Sequence, residues 1–297
     1  MPTDETPRRY RILHLSDPHL TGSGIDMDGV DAAGSLRRML DACRTVESID
    51  VVVVSGDIAD DGSKDGCRAV LDAVGAFAAE RDVPHVYTTG NHDDRLSFAA
   101  VLGSGHLSPR GDDAALRVID APERAAMSMV DGLRIVSLDS LVPGRTPGML
   151  DASQLAWLRD VLSVPAPDGT VIALHHPPIH VAGHAMQAAG LQNPTDLAEV
   201  LQGSDARIVL TGHLHHQLSG SLAGVPVWVT PGVVTRIDLT APAPLVRGVL
   251  GAGASVVDLG GPFSPLCHVL HARDPRAGEQ VYLYDAETGA VAESEQP

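Results

Sequence analysis

Five short blocks of this chain carry residue types that bind metal ions. They are Asp17-x-His19, Gly56-Asp57, Gly90-Asn91-His92-Asp93, His175-x-Pro177 and Gly212-His213-x-His215. Carboxylate together with imidazole suits borderline divalent metals such as Mn, Fe, Co or Zn. The donors are too many for one tetrahedral zinc. They suit two metals about 3.5–4 Å apart with one carboxylate shared, a pair that makes hydroxide available at neutral pH and clamps phosphoryl oxygens during in-line attack. Taken singly the blocks are weak. Asp-x-His occurs by chance, and Gly56-Asp57 could be a tight turn. The block at 90–93 says more, because a turn uses Gly and Asn but has no need of His92, and Gly212-His213-x-His215 is informative for the same reason.

The elements before each block explain how they could meet. Apolar, β-rich runs at 10–15, 51–54, 83–87, 171–174 and 208–210 read as strands, and each ends at one of the five blocks. Residues 30–47 and 64–80 between them have helical spacing, as do 152–163 and 195–202, with Asp151 a plausible N-cap. Strand–helix alternation implies parallel βαβ units. Ligands in such sheets bind outside the carboxyl ends of the strands, so five blocks there converge on one place. The middle differs: 115–119, 126–130 and 133–138 read as strands, with Asp131-Gly132 as a hairpin turn. Short strands joined by Gly and Pro turns run from 216 to the end. The expected organisation is an α/β domain over 1–240 and a β-rich C-terminal extension over 241–297 packed on it.

The ordered blocks resemble the motif set of the calcineurin-like metallophosphoesterases, and all five fall within residues 12–216. The stretches 90–95, 143–148 and 153–158 resemble the bacterial class III cyclic-nucleotide phosphodiesterases in particular. The resemblance implies a four-layer α/β/β/α sandwich with two central mixed sheets. It also implies that one metal takes Asp17, His19, Asp57 and His215, and the other Asp57, Asn91, His175 and His213, with Asp57 bridging. The ions would be two divalent or mixed-valence transition metals, with iron and manganese the expected pair and zinc or cobalt the alternatives. His92 would sit beside them and act on substrate with Asn91. A homodimer is a further implication.

The resulting expectation is hydrolysis of a small phosphodiester, foremost 3′,5′-cyclic AMP to 5′-AMP, by a metal-bridging hydroxide with His92 as proton donor. The alternatives are a broad phosphodiesterase acting on glycerophosphodiesters or 2′,3′-cyclic nucleotides, and a non-catalytic metal-binding regulator. A regulator would be expected to lack the proton donor or a ligand, and neither is missing.

Composition narrows the partners. The 297 residues carry 21 basic and 38 acidic side chains, a formal charge of −17, so nucleic acid and anionic lipid should be repelled. Two divalent cations, two carboxylates and a hydroxide would still leave the pocket at about +1, which suits a singly charged diester. Cys43, Cys67 and Cys267 are too few and too scattered for a disulfide framework or cysteine zinc site, and are expected to be buried, reduced thiols. The polar segment Met1 to Arg9 lacks the apolar core of a signal peptide, and no run approaches the roughly 18 residues of a membrane helix, so a cytoplasmic protein is expected.

Of the other histidines, His14 is expected to pack in the core, and His176 and His216 to face away from the metals. His180 and His184 are expected in solvent or on the pocket rim. His85, His106, His268 and His271 are expected to be structural or exposed. Arg95 could steer an anion but reads first as an exposed helix-start residue. Asp93 could orient His92 or cap the following turn.

Overall fold

The computed structural model describes residues 8–181 and 188–291. Period-two alternation in the strands sorts their side chains into layers. In β1 (Tyr10–Leu15), Leu13 and Leu15 face one core while Tyr10 and Ile12 face another, and in β2 (Val51–Ser55), Val52 and Val54 are separated in the same way from Val51 and Val53. The first set packs under α1 (Ala32–Cys43), α2 (Lys64–Ala79) and α3 (Arg95–Leu102). The second set meets Leu133 and Ile135 of β7 (Leu133–Ser137), Val171 and Ala173 of β8 (Thr170–Ala173), and Ile208 and Leu210 of β9 (Ala206–Thr211). The far side of that second sheet is covered by α4 (Ala152–Leu162) and α5 (Pro194–Leu201), which pack on Val136, Ile172 and Val209. The four-layer α/β/β/α sandwich expected from the resemblance is therefore present.

The first sheet has the order β15-β14-β1-β2-β3-β4, with β3 at His85–Thr88, β4 at His106–Leu107, β14 at Gly253–Leu259 and β15 at Leu266–His271. The second runs β10-β11-β9-β8-β7-β6-β5, with β5 at Arg117–Val118, β6 at Ala126–Val130, β10 at Leu218–Leu222 and β11 at Val225–Val229. β1, β2 and β3 are parallel, as are β7, β8 and β9, which sends their carboxyl ends the same way within each sheet. The hairpin β6–β7 turns at Asp131-Gly132 as expected, with Asp131 at φ 52. Asp151 caps α4 by accepting from the Ser153 backbone N–H at 2.8 Å.

The segment after 216 divides among three sheets. β12 (Thr235–Asp238), β13 (Leu245–Leu250) and β16 (Gln280–Asp285) form a separate small sheet. β14 runs antiparallel to β1, and β15 follows it at the sheet edge. The expected division at about 240 falls between β12 and β13, which pair with each other. Cys43 and Cys67 are buried, but Cys267 is only half-buried, because edge strand β15 exposes one side. Among the described residues no helix is long and apolar enough to cross a membrane.

Candidate metal centre

All seven expected ligands come together where the two sheets present their strand ends. Asp17 and His19 follow β1, Asp57 follows β2, Asn91 follows β3, His175 follows β8, and His213 and His215 follow β9. Donor atoms of Asp17, His19 and His215 lie within 4.8 Å of one another, and so do those of Asp17, Asp57 and His175. Asp57 Oδ2 lies 3.1 Å from His175 Nε2 and 3.6 Å from His19 Nε2, so a single oxygen faces a histidine of each group. Asp57 Oδ1 accepts from the His92 backbone N–H at 2.9 Å.

The backbone is bent to make this meeting happen. Nine described non-glycine residues have positive φ, and five of them are Asp17, His19, Asp57, His213 and His215. Left-handed backbone at non-glycine residues costs of order 1–3 kcal/mol each and persists where the surroundings over-determine it. Here the bend turns each donor back across its own strand end. Gly56 and Gly90 clear the space: a Cβ on Gly56 would overlap the His175 ring, and one on Gly90 would overlap the backbone nitrogen and Oδ1 of Asp57.

Hydrogen bonds on the remote side of each ring decide which nitrogen looks inward. His175 Nδ1 donates to the Ser55 carbonyl at 2.7 Å, and His19 Nδ1 donates to Asp60 Oδ1 at 2.8 Å. His215 Nδ1 lies 2.7 Å from Thr235 Oγ1. The inward atoms then face one another and the two carboxylates, and two of them have no hydrogen bond. Asn91 Oδ1 and His213 Nε2 are buried without a hydrogen bond, His175 Nε2 has only the Asp57 carboxylate at 3.1 Å, and His19 Nε2 and His215 Nε2 lie 3.2 Å apart. Buried polar atoms left unpaired are costly. A cation among them removes the cost, so this donor set fits bound metal.

Electrostatics lead the same way. Burial pushes the His175 pKa down, but Asp57 outweighs it and carries the ring up to about 9. Burial and the neighbouring His175 hold His213 down at about 3. The Asp57 carboxyl is held well below the usual range: burial would raise it, and His175 overcomes that. Thus the carboxylates attract positive charge while the His213 lone pair stays open.

Three residues outside the expected set support it. Asp60 lies on the loop of Asp57 and serves both His19 and His92: its backbone carbonyl accepts from His92 Nδ1 at 3.0 Å, with Oδ1 3.1 Å away. Burial lowers the His92 pKa, and Asp60 and Asp57 more than restore it, to about 10. The spacing Asp57-x-x-Asp60 was the available signal. Asp93 does not orient His92. Its buried carboxylate accepts from the backbone N–H groups of Ile58, Ala59 and Gly90 and so braces the Asp57 loop against the Asn91 loop. Thr235, on β12, had no signal in the sequence.

The other expectations divide. His14 is buried, with Nε2 2.8 Å from Ser55 Oγ. His176 packs against His175 and His213, but both its nitrogens are engaged, with Ser140 Oγ at 2.7 Å and the Thr146 carbonyl at 2.9 Å, which leaves no lone pair for a metal. His180 lines a different cavity, with Pro178 and Ile179. His184 lies outside the described residues. Arg95 is neither exposed nor free to steer an anion, because it grips buried Asp139 at 2.6 Å.

The centre opens into a cavity of about 440 Å³ that His19, Asp57, Asn91, His92, His213 and His215 line on one side. A two-sheet sandwich carrying Asp, His and Asn donors at its strand ends defines a metallohydrolase. The chain belongs to the calcineurin-like phosphoesterase family, whose model matches residues 10–217. Members of that family use two divalent metal ions.

The chain is 38% identical over 250 residues to a "probable cyclic nucleotide phosphodiesterase" of Rhodococcus erythropolis, covering 84% of this chain and 79% of the relative. It is 38% identical over 254 residues to a cAMP/cGMP dual specificity phosphodiesterase of Mycobacterium tuberculosis, covering 84% and 75%. A 3′,5′-cyclic AMP phosphodiesterase of Pseudomonas aeruginosa is 29% identical over 237 residues, covering 79% and 80%. A dimetal phosphatase of Danio rerio shares the fold, with TM-score 0.57 and 17% identity over 89% of this chain and 99% of that one.

Proposed function

We propose that this phosphoesterase hydrolyses a small phosphodiester, with 3′,5′-cyclic AMP as the leading substrate and 5′-AMP as product. The observation that carries the reading is the set of inward donor atoms around Asp57: Asn91 Oδ1 and His213 Nε2 buried without a hydrogen bond, and His175 Nε2 3.1 Å from the Asp57 carboxylate. Asp17, His19, Asp57 and His215 would hold one divalent ion, and Asp57, Asn91, His175 and His213 the second, with Asp57 shared. Bound there, the ions would lower the pKa of coordinated water and neutralise charge on the phosphoryl oxygens. Iron and manganese remain the proposed pair, with zinc or cobalt as alternatives.

His92 is the proposed general acid. Its Nδ1 is fixed on the Asp60 carbonyl, and its side chain is 31% exposed at the cavity. Nε2 is therefore free to give a proton to the leaving oxygen. Asn91, adjacent on the same loop, would contact the substrate as well. No lysine or arginine is found among the described residues lining the cavity, so nothing there favours a doubly charged monoester or a longer polyanion over a singly charged diester. The names of the relatives support a cyclic nucleotide in particular.

The test is hydrolysis of bis(p-nitrophenyl) phosphate with and without chelator, followed by cyclic AMP, cyclic GMP and glycerophosphodiesters side by side. Chelator-sensitive turnover with cyclic AMP preferred is expected. No metal-dependent hydrolysis would leave the non-catalytic regulator standing, and preference for glycerophosphodiesters would favour the broad enzyme.

A further inference from the structure

The metal motifs form only one wall of the cavity. The small C-terminal sheet lines the cavity as well, contributing Thr235, Tyr282, Leu283 and Tyr284. Aromatic residues make up 3% of the chain, so two tyrosines at one cavity are not a consequence of composition. Positions 282 and 284 share a face of β16 because strand side chains alternate, and their ring centroids are 6.0 Å apart with planes tilted by 36°.

The Tyr282 ring is seated, not merely exposed. Its neighbour on β13 is Gly248, and a Cβ there would collide with the ring. The ring therefore crosses β13 over the glycine, toward β12, which pairs with β13 on its other side. Thr235 Oγ1 of β12 reaches His215 Nδ1 at 2.7 Å. A flat ring seated on the glycine beside a phosphate-handling centre loses little entropy when another flat ring stacks on it. Aspartates 26 and 28 lie on the same cavity and repel any further phosphate, so what the tyrosines receive must be the uncharged part of the substrate.

We infer that Tyr282 and Tyr284 form the stacking platform for the substrate's nucleobase, so that the C-terminal sheet selects nucleoside diesters while the motif loops handle phosphate. This rests on the phosphodiester function proposed above.

The experiment uses the metal-loaded full chain and the variants Tyr282→Leu, Tyr284→Leu and Tyr282→Phe. It measures KM and kcat for cyclic AMP and, by calorimetry, the Kd of inorganic phosphate. A lost base–aromatic stack should raise KM for cyclic AMP about 10-fold in each Leu variant. The value of kcat should change little, phosphate affinity should stay the same, and Tyr282→Phe, which keeps the ring, should restore KM. Unchanged KM in both Leu variants overturns the platform. So does a parallel loss of phosphate affinity, which would show that the tyrosines only support His215. A wild-type chain that cleaves bis(p-nitrophenyl) phosphate but no cyclic nucleotide defeats the substrate reading itself, and this is seen before any variant is made.

Discussion

At the residue scale, the proposed roles of His92 and Asp57 differ and should separate experimentally. His92 offers the cavity a ring whose Nδ1 is tied to the Asp60 carbonyl, beside donor atoms of His19 and Asp57. His92→Ala should keep both metals by elemental analysis and lower turnover roughly 10²–10⁴-fold, the usual loss for a general acid. Normal turnover would remove His92 from the chemistry. Asp57 Oδ2 faces His19 and His175 at once, while its other oxygen fixes the His92 loop. Asp57→Ala should therefore empty both positions, and two metals per chain in that variant would reject the shared carboxylate. The glycines beside these residues act through space: Gly56 and Gly90 are required because another chain segment occupies the position of their Cβ.

At the element scale, strand alternation builds the layers, and short β4 ties the sheets together. His106 in β4 of the first sheet places Nδ1 2.7 Å from Ser128 Oγ in β6 and Nε2 2.9 Å from Ser137 Oγ in β7, both in the second sheet. Burial drives its pKa from 6.5 down to about 3, against a weaker upward pull from Asp113. In the unfolded chain the ring takes a proton near pH 6.5, whereas in the folded chain it does not until about 3. The unfolded state thus binds more protons across that window, and folding stability falls as the pH drops through it. Acidification from pH 6.5 to about 5 should cost about 2 kcal/mol through this one group. His106→Gln should flatten that part of the profile in denaturant titrations. An identical acid slope in the variant would mean that another group controls it.

At the scale of the whole molecule, the C-terminal strands are part of the framework that positions the site. β14 lies between β1 and β15, with Ala254, Val256, Val257 and Leu259 buried. β12 holds the His215 loop, since the Ile237 backbone N–H donates to the His215 carbonyl at 3.0 Å. The family match ends at residue 217, yet deleting the C-terminal strands would strip an interior strand from the first sheet and uncover both of its cores. A chain ending at residue 240 should therefore show no cooperative thermal transition by circular dichroism. A sharp melt near that of the full chain would show that the first sheet stands without β14. The formal charge of −17 belongs to this scale too, and no lysine or arginine is found among the described residues lining the cavity.

The amino-acid sequence by itself determined the donors and their places. Each motif follows a short apolar run, parallel strands deliver their carboxyl ends together, and the pairing of residue type with strand end survives without three-dimensional information. The four layers were legible through the resemblance, and the structure shows their cause in the alternation of Leu13 and Leu15 against Ile12. Tertiary structure alone decided the rest, because those contacts join segments far apart in the chain. Asp93 braces a loop rather than His92, Arg95 is spent on Asp139, and His176 beside His175 and His213 has both nitrogens engaged. The Gly-rich, Pro-rich tail gave no sign that β14 would enter the first sheet while β12, β13 and β16 walled the cavity. Strand partners are chosen by what surface remains uncovered once the domain has folded, and no local pattern of residues records that choice.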